Sequence, residues 1–150
     1  MAKKADVVDF LSQPALAIVG VSRGGKKFGN AILRELKSSG YKVYPVHPAA
    51  ETLEGERCYP NLKSLPETVG GVVVVVPPAQ SEKVVRDAAE AGIPRIWFQQ
   101  GAESDAAVQA AQASGMRVVS GECILMFANS PVFFHKIHRF VNRVVGKLPA

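Results

Sequence analysis

The sequence predicts an α/β fold: a Rossmann-like, doubly wound, mainly parallel sheet with helices on both faces, followed by a C-terminal amphipathic helix. Three observations carry this expectation. Short β-rich runs alternate with helical patterns, the signature of βαβ units. One of those runs, Val72–Val76, is five consecutive valines, the composition of a strand covered on both faces. The first strand also feeds through a glycine-rich loop into a helix, in the stretch ALAIVGVSRGGKKFGN at residues 15–30. Residues 1–130 are assigned to the sheet domain and 131–150 to the terminal helix.

Taken in order, Ala15–Gly20 reads as a buried strand. Phe28–Ser39 places Phe28, Ile32, Leu33 and Leu36 at helical spacing, with Gly40 as the stop. Lys42–Val46 is the next strand, and Pro45 near its end is tolerable where no ladder donor is needed. Residues 47–70 are punctuated by Pro48, Gly55, Pro60 and Pro66, leaving a short strand near Arg57–Tyr59 and one helical turn after Asn61. The valine strand stops at Pro77-Pro78. Gln80–Ala91 is helical, Arg95–Phe98 a strand, Glu103–Ser114 helical and Arg117–Ser120 the last strand. In such a fold ligands bind beyond the carboxyl ends of the strands. Those ends are Gly20–Arg23, Pro45–His47, Val76–Pro78, Gln99–Gly101 and Gly121–Cys123.

Composition narrows the class. The chain of 150 residues is 47% apolar, enough for one proper core. No apolar run reaches the roughly 18 residues that span a bilayer, and the start, MAKKADVVDFLSQ, lacks a signal-peptide core. Cys58 and Cys123 form no CxxC pair and suggest free thiols in a reducing, cytoplasmic setting. The net charge is +5, and residues 131–150 contribute +4 of it through Lys136, Arg139, Arg143 and Lys147. The body is therefore nearly neutral, which argues against nucleic acid as a partner.

The first loop is built for an anion. Its glycines admit backbone N–H groups to a ligand, the following helix N-terminus favours negative charge, and Arg23, Lys26 and Lys27 add cations. A glycine-rich turn can serve only to turn tightly, but clustering three cations there costs energy without an anion. Two familiar phosphate motifs nonetheless fail. The GxxxxGK match at 20–26 continues with Lys27 where Ser or Thr would hold magnesium. The GxGxxG fingerprint is broken at Ser22, and the second strand ends in Val46-His47-Pro48 without the acid that reads a ribose diol. Glu51 and Glu54, beyond the proline, are expected to face water. This disfavours NAD and leaves NADP open.

Several segments together resemble the small stand-alone coenzyme A-binding proteins, related to the N-terminal domain of succinyl-CoA synthetase α subunits. They are IVGVSRGGKKFGN at 18–30, GYKVYPVHP at 40–48, GERCYPNLKSLPE at 55–67, VVVVVPP at 72–78, GIPRIWFQQGAES at 92–104 and VVSGECILM at 118–126. The resemblance, covering about residues 8–126, implies coenzyme A or an acyl-CoA across the sheet's carboxyl rim. The binding residues it implies include the first loop and helix start: Gly20, Val21, Ser22, Arg23, Lys26, Lys27, Phe28, Gly29 and Asn30. Pro45 and His47 would line the nucleotide side, Val76, Pro77 and Pro78 the neighbouring wall, and Gln99 with Gly101 the next edge. Here His47 stands where the family commonly has Asn, and Glu122 where it commonly has Arg. No catalytic residue is implied, because the synthetase phosphohistidine lies in another domain.

The expected function is therefore a non-catalytic sensor, carrier or accessory role. The alternatives are an enzyme using NADP or acyl-CoA, or an interaction module with a lapsed nucleotide site. Cys123 reads as a small buried residue. His135 and His138 lack an acid or cysteine partner nearby, so no metal site is expected. The stripe of Phe133, Ile137, Phe140, Val141, Val144 and Leu148 predicts a helix docked on the domain, on a second copy or on a protein partner, in preference to a membrane surface.

Overall fold

The computed structural model describes residues 3–25 and 27–128. The C-terminal helix expected at 131–150 therefore lies outside the described residues, as does Lys26. In chain order the elements are α1 (Lys4–Leu11), β1 (Ala15–Val19), α2 (Phe28–Ser38), β2 (Lys42–Val46), β3 (Thr52–Leu53) and β4 (Glu56–Arg57). After a 3-10 turn at Leu62–Ser64 come β5 (Gly71–Val74), α3 (Pro78–Glu90), β6 (Arg95–Gln99), α4 (Asp105–Ala113), β7 (Arg117–Glu122) and α5 (Ile124–Ala128).

Five strands form one parallel sheet in the order β2-β1-β5-β6-β7, and β3 with β4 makes a small antiparallel hairpin. The chain leaves β1 toward one edge and resumes at β5 on its other side. The topological switch therefore lies between β1 and β5, the place where such sheets bind ligands. Strand alternation sorts the core. Leu16, Ile18, Val43, Val73, Trp97 and Val119 join one layer with α1 and α2. Ala17, Val46, Val72, Val74, Ile96 and Phe98 join the other, against α3 and α4. Apolar side chains cover the central strands on both faces, which is why the valine run shows no polar alternation.

The expectations for the sheet hold, with three differences. The amino-terminal segment, to which no element was assigned, is a helix: Val7, Phe10 and Leu11 bury one face of α1. Crossovers from β5 and β6 place α3 and α4 on the same layer, so the opposite face of β5–β7 would be bare without α1 and α5. Phe10 closes it edge-on against Trp97, with ring centroids 5.3 Å apart. Arg95 and Arg117 fasten α1 at the sheet's amino end through Asp9 at 2.6 Å and Asp6 at 2.8 Å. The segment 47–60 holds the β3–β4 hairpin, and Tyr59 adds a single parallel bridge to Val46. Finally, β5 ends at Val74, while Pro77 caps α3 and Pro78 opens it.

Candidate functional site

The site begins where β1 ends. Gly20 has φ +123°, and a Cβ there would meet the Val75 carbonyl oxygen at 2.3 Å. A Cβ on Gly29 would meet the Gly20 carbonyl oxygen at 2.4 Å. Strand, loop and helix thus touch backbone to backbone, which requires glycine at both positions. This brings the first turn of α2, the end of a helix that favours an anion, close to the crevice between β1 and β5.

Asn30 holds the loop in shape. It is 0% exposed, its Oδ1 accepts the Ser22 N–H at 3.0 Å, and its Nδ2 donates to the Ser22 carbonyl at 2.9 Å. The same Nδ2 donates to Glu54 Oε2 at 3.0 Å. Glu54 does not face water as expected from sequence. The tight β3–β4 turn, with Glu54 at φ +51°, delivers its carboxylate to the start of α2, where Arg34 pairs with it at 3.1 Å. Lys37 donates to the Glu54 carbonyl at 3.1 Å. The Asn30 hydrogen bond, reinforced by Arg34, holds the Glu54 carboxyl below the usual carboxylate range.

Around this frame the charged side chains are open. Arg23 and Lys27 are exposed, and neither has a carboxylate partner among the described residues. Phe28 is 49% exposed at the first position of α2, an aromatic face left at the loop mouth. Across the switch, on the α3 side, an apolar cleft of about 440 Å³ opens between the ends of β1, β2 and β5. Val19, Val46, Val76 and Leu62 form its floor, and Asn61 and Gln80 bring amides to its edge.

The remaining rim residues divide into exposed and supporting groups. Pro77 and Pro78 are exposed at the start of α3, and Gly101 is exposed with its N–H on Glu103 at 3.1 Å. His47 is half-buried, and its Nδ1 accepts N–H groups from Ala49 and Ala50, both at 3.0 Å. Val21, Pro45 and Gln99 are buried and shape the rim from behind. Gln99 Oε1 accepts the Ile124 N–H at 3.0 Å, fixing the start of α5. Glu122 is half-buried, with its carbonyl on the Trp97 indole N–H at 3.1 Å. Cys58 is buried, which pushes its thiol up, and Cys123 is half-buried. Among the described residues no cluster of three His, Cys, Asp or Glu could hold a metal. No helix among them is long and apolar enough to cross a membrane.

The profile of a family described as "CoA binding domain" matches residues 15–129. The chain belongs to this family. Coenzyme A, the cofactor expected from the sequence, is the ligand of CoA-binding domains. The CoA-binding domain here is homologous to part of the acetate–CoA ligase [ADP-forming] II subunit alpha of Pyrococcus furiosus, at 27% identity over 130 residues. That match covers 79% of this chain and 28% of the ligase subunit. Across its ADP-forming acetate–CoA ligase relatives this chain spans only 12–28% of their length. It also matches an uncharacterized protein of Bacillus subtilis at 25% identity, covering 81% of this chain and 90% of that one. A conserved hypothetical protein from Pyrococcus furiosus has a solved structure with TM-score 0.71 and 39% identity, covering 75% of this chain and 97% of that one.

Asn61, Leu62, Gln80 and the Glu54 brace were not among the residues expected from sequence. Only Asn61 carried a signal, as the cap of a turn: its Oδ1 accepts the Ser64 N–H at 3.0 Å.

Proposed function

We propose that this CoA-binding domain holds coenzyme A or an acyl-CoA across the β1–β5 crevice and performs no chemistry on it by itself, acting as a sensor, carrier or accessory unit. One observation carries the reading. A cationic loop with a helix N-terminus lies on one side of the switch, and an apolar cleft of about 440 Å³ lies on the other. A pyrophosphate joined to a flat purine matches that division. The anion meets Arg23, Lys27 and the α2 amides, the base enters the cleft floored by Val19, Val46 and Val76, and Phe28 borders the path of the pantetheine arm.

The absence of chemistry rests on how the reactive side chains are engaged. The His47 Nδ1 is committed to its own turn, and burial disfavours the Cys58 thiolate. Incubation with a panel of acyl-CoA thioesters is expected to yield no turnover.

Thermal-shift titration with coenzyme A, NADPH, NADH and ATP tests the ligand class. Coenzyme A at about a hundred times its Kd should raise Tm by roughly 5–10 °C. The double variant Lys26→Glu/Lys27→Glu should weaken coenzyme A by about tenfold or more, equivalent to about 1.4 kcal/mol, with the unliganded Tm preserved. Unchanged affinity in that variant would remove the loop from the site. A shift with NADPH alone would replace the ligand.

A further inference from the structure

Two clefts at the carboxyl rim lie toward one edge of the sheet. The apolar cleft of about 440 Å³ sits at the ends of β1, β2 and β5, and a second of about 560 Å³, lined by His47, Pro48 and Pro60, adjoins it past the end of β2. In the order β2-β1-β5-β6-β7 both are on the β2 side. With the base there and the pyrophosphate at the start of α2, the pantetheine arm has the opposite stretch of rim to cross, over β5 and β6 toward β7. Neighbouring strands stand about 4.8 Å apart, so the end of β7 is about 14 Å from that of β1. An arm with two amide units has that reach, which equals about four residues of extended peptide. The thiol, or the acyl group on it, therefore ends beside residues 99–101 and 122.

The end of β7 carries a charge without a counterpart. Glu122 is in register with Gln99, so both side chains leave the sheet on one face, the face on which Trp97 and Val119 meet the layer of α1 and α2. The backbone around Glu122 is fixed: its carbonyl accepts the Trp97 indole N–H at 3.1 Å, and the Ile124 N–H is held by Gln99 Oε1 at 3.0 Å. The Glu122 carboxylate, half-buried, has neither a hydrogen bond nor an ion pair among the described residues. Glu103, at the head of the next loop, accepts the Gly101 N–H at 3.1 Å and adds a second acid. The rim is thus cationic at the β1 loop, through Arg23 and Lys27, and anionic at the ends of β6 and β7.

A carboxylate held partly out of water, with no cation to offset it, opposes a second negative charge brought beside it. An uncharged acyl chain meets no such opposition.

We propose that Glu122 is a specificity-determining residue that selects the acyl group by charge: the domain takes coenzyme A and thioesters of uncharged acyl groups, and rejects thioesters whose acyl group ends in a carboxylate. The proposal rests on the coenzyme A reading above and names the class of thioester that the reading leaves open.

Isothermal titration of the full chain with coenzyme A, butyryl-CoA and succinyl-CoA tests it. The two thioesters have acyl groups of equal carbon count and differ by a terminal carboxylate in place of a methyl group. The unmodified protein is expected to bind butyryl-CoA about tenfold or more tightly than succinyl-CoA, with the difference shrinking as salt is raised. Glu122→Gln should remove most of that difference by tightening succinyl-CoA alone, and Glu122→Arg should reverse it. Unchanged affinity for free coenzyme A in both variants guards against a folding defect. Coenzyme A binding without a difference between the thioesters overturns the selection and leaves the coenzyme reading standing. So does a difference that survives Glu122→Gln, or a variant that shifts the three ligands alike. Binding of none of the three overturns the coenzyme reading itself, and the selection with it.

Discussion

Glu54 shows how one side chain can set a loop it does not belong to. Its backbone is in the left-handed region, uncommon for a non-glycine residue, and its carboxylate reaches Asn30 and Arg34. The stability it contributes follows from the lowered carboxyl value. It is complete above the ordinary value of 4.5 and is lost as pH falls through the lower folded value, because only the anion accepts both partners. Denaturation of Glu54→Gln and the unmodified chain across pH should show the variant less stable near neutrality, with the difference closing at acid pH. Glu54→Ala frees the amide of Asn30 and should loosen the loop, weakening coenzyme A severalfold in titration. This role was invisible in sequence because Glu54 and Asn30 are 24 positions apart, joined by a hairpin of two-residue strands. A Glu-Gly turn gives a weaker hairpin signal than Asn-Gly or Asp-Gly.

At the level of elements, α1 deserves its place in the fold on packing grounds. Gly71 opens β5 where a Cβ would meet the Phe10 ring at 2.5 Å, so helix and sheet are in contact with no room for a side chain between them. Phe10→Ala should cost about 3–5 kcal/mol in chemical denaturation, and Gly71→Ala about 1–3 kcal/mol by overpacking. The helix was within reach of the sequence. Val7, Phe10 and Leu11 stand at i, i+3 and i+4, and right-handed crossovers leave one face of β5–β7 needing cover. The alternation of Lys3 to Gln13 masked it. By contrast, β1, β2, β5, β6 and β7 were all legible, since each carries a short β-rich run bounded by glycine, proline or a helical pattern, and in the central strands β1, β5 and β6 burial on both faces removes the ambiguity of alternation.

For the molecule as a whole, the two ends of the sheet are built for different tasks. The amino end is closed by the ion pairs of Asp6 and Asp9 with Arg95 and Arg117, while the carboxyl end carries the open loop and both clefts. Hydrogen exchange with and without coenzyme A should therefore slow in residues 20–29, 46–48 and 76–80, and stay unchanged in α1 and at Arg95 and Arg117. The rim itself was readable, because parallel strands must all end on the same side. The cleft walls were not. Leu62, Asn61 and Gln80 approach each other only through the docking of the 3-10 turn on α3, a tertiary contact with no local pattern.

The prolines at the head of α3 have a consequence for direction. A helix start is usually a cluster of amide donors, and two helices, α2 and α3, begin beside the switch. Pro77 and Pro78 carry no N–H, and the Gln80 N–H is already turned back on Pro77 at 2.9 Å. The start of α3 thus offers fewer N–H donors than that of α2, where the Asn30 N–H is turned back on Lys27 at 3.0 Å in the same way but no proline removes a donor. An anionic group on this rim is therefore expected to meet the start of α2 in preference to the proline-headed start of α3.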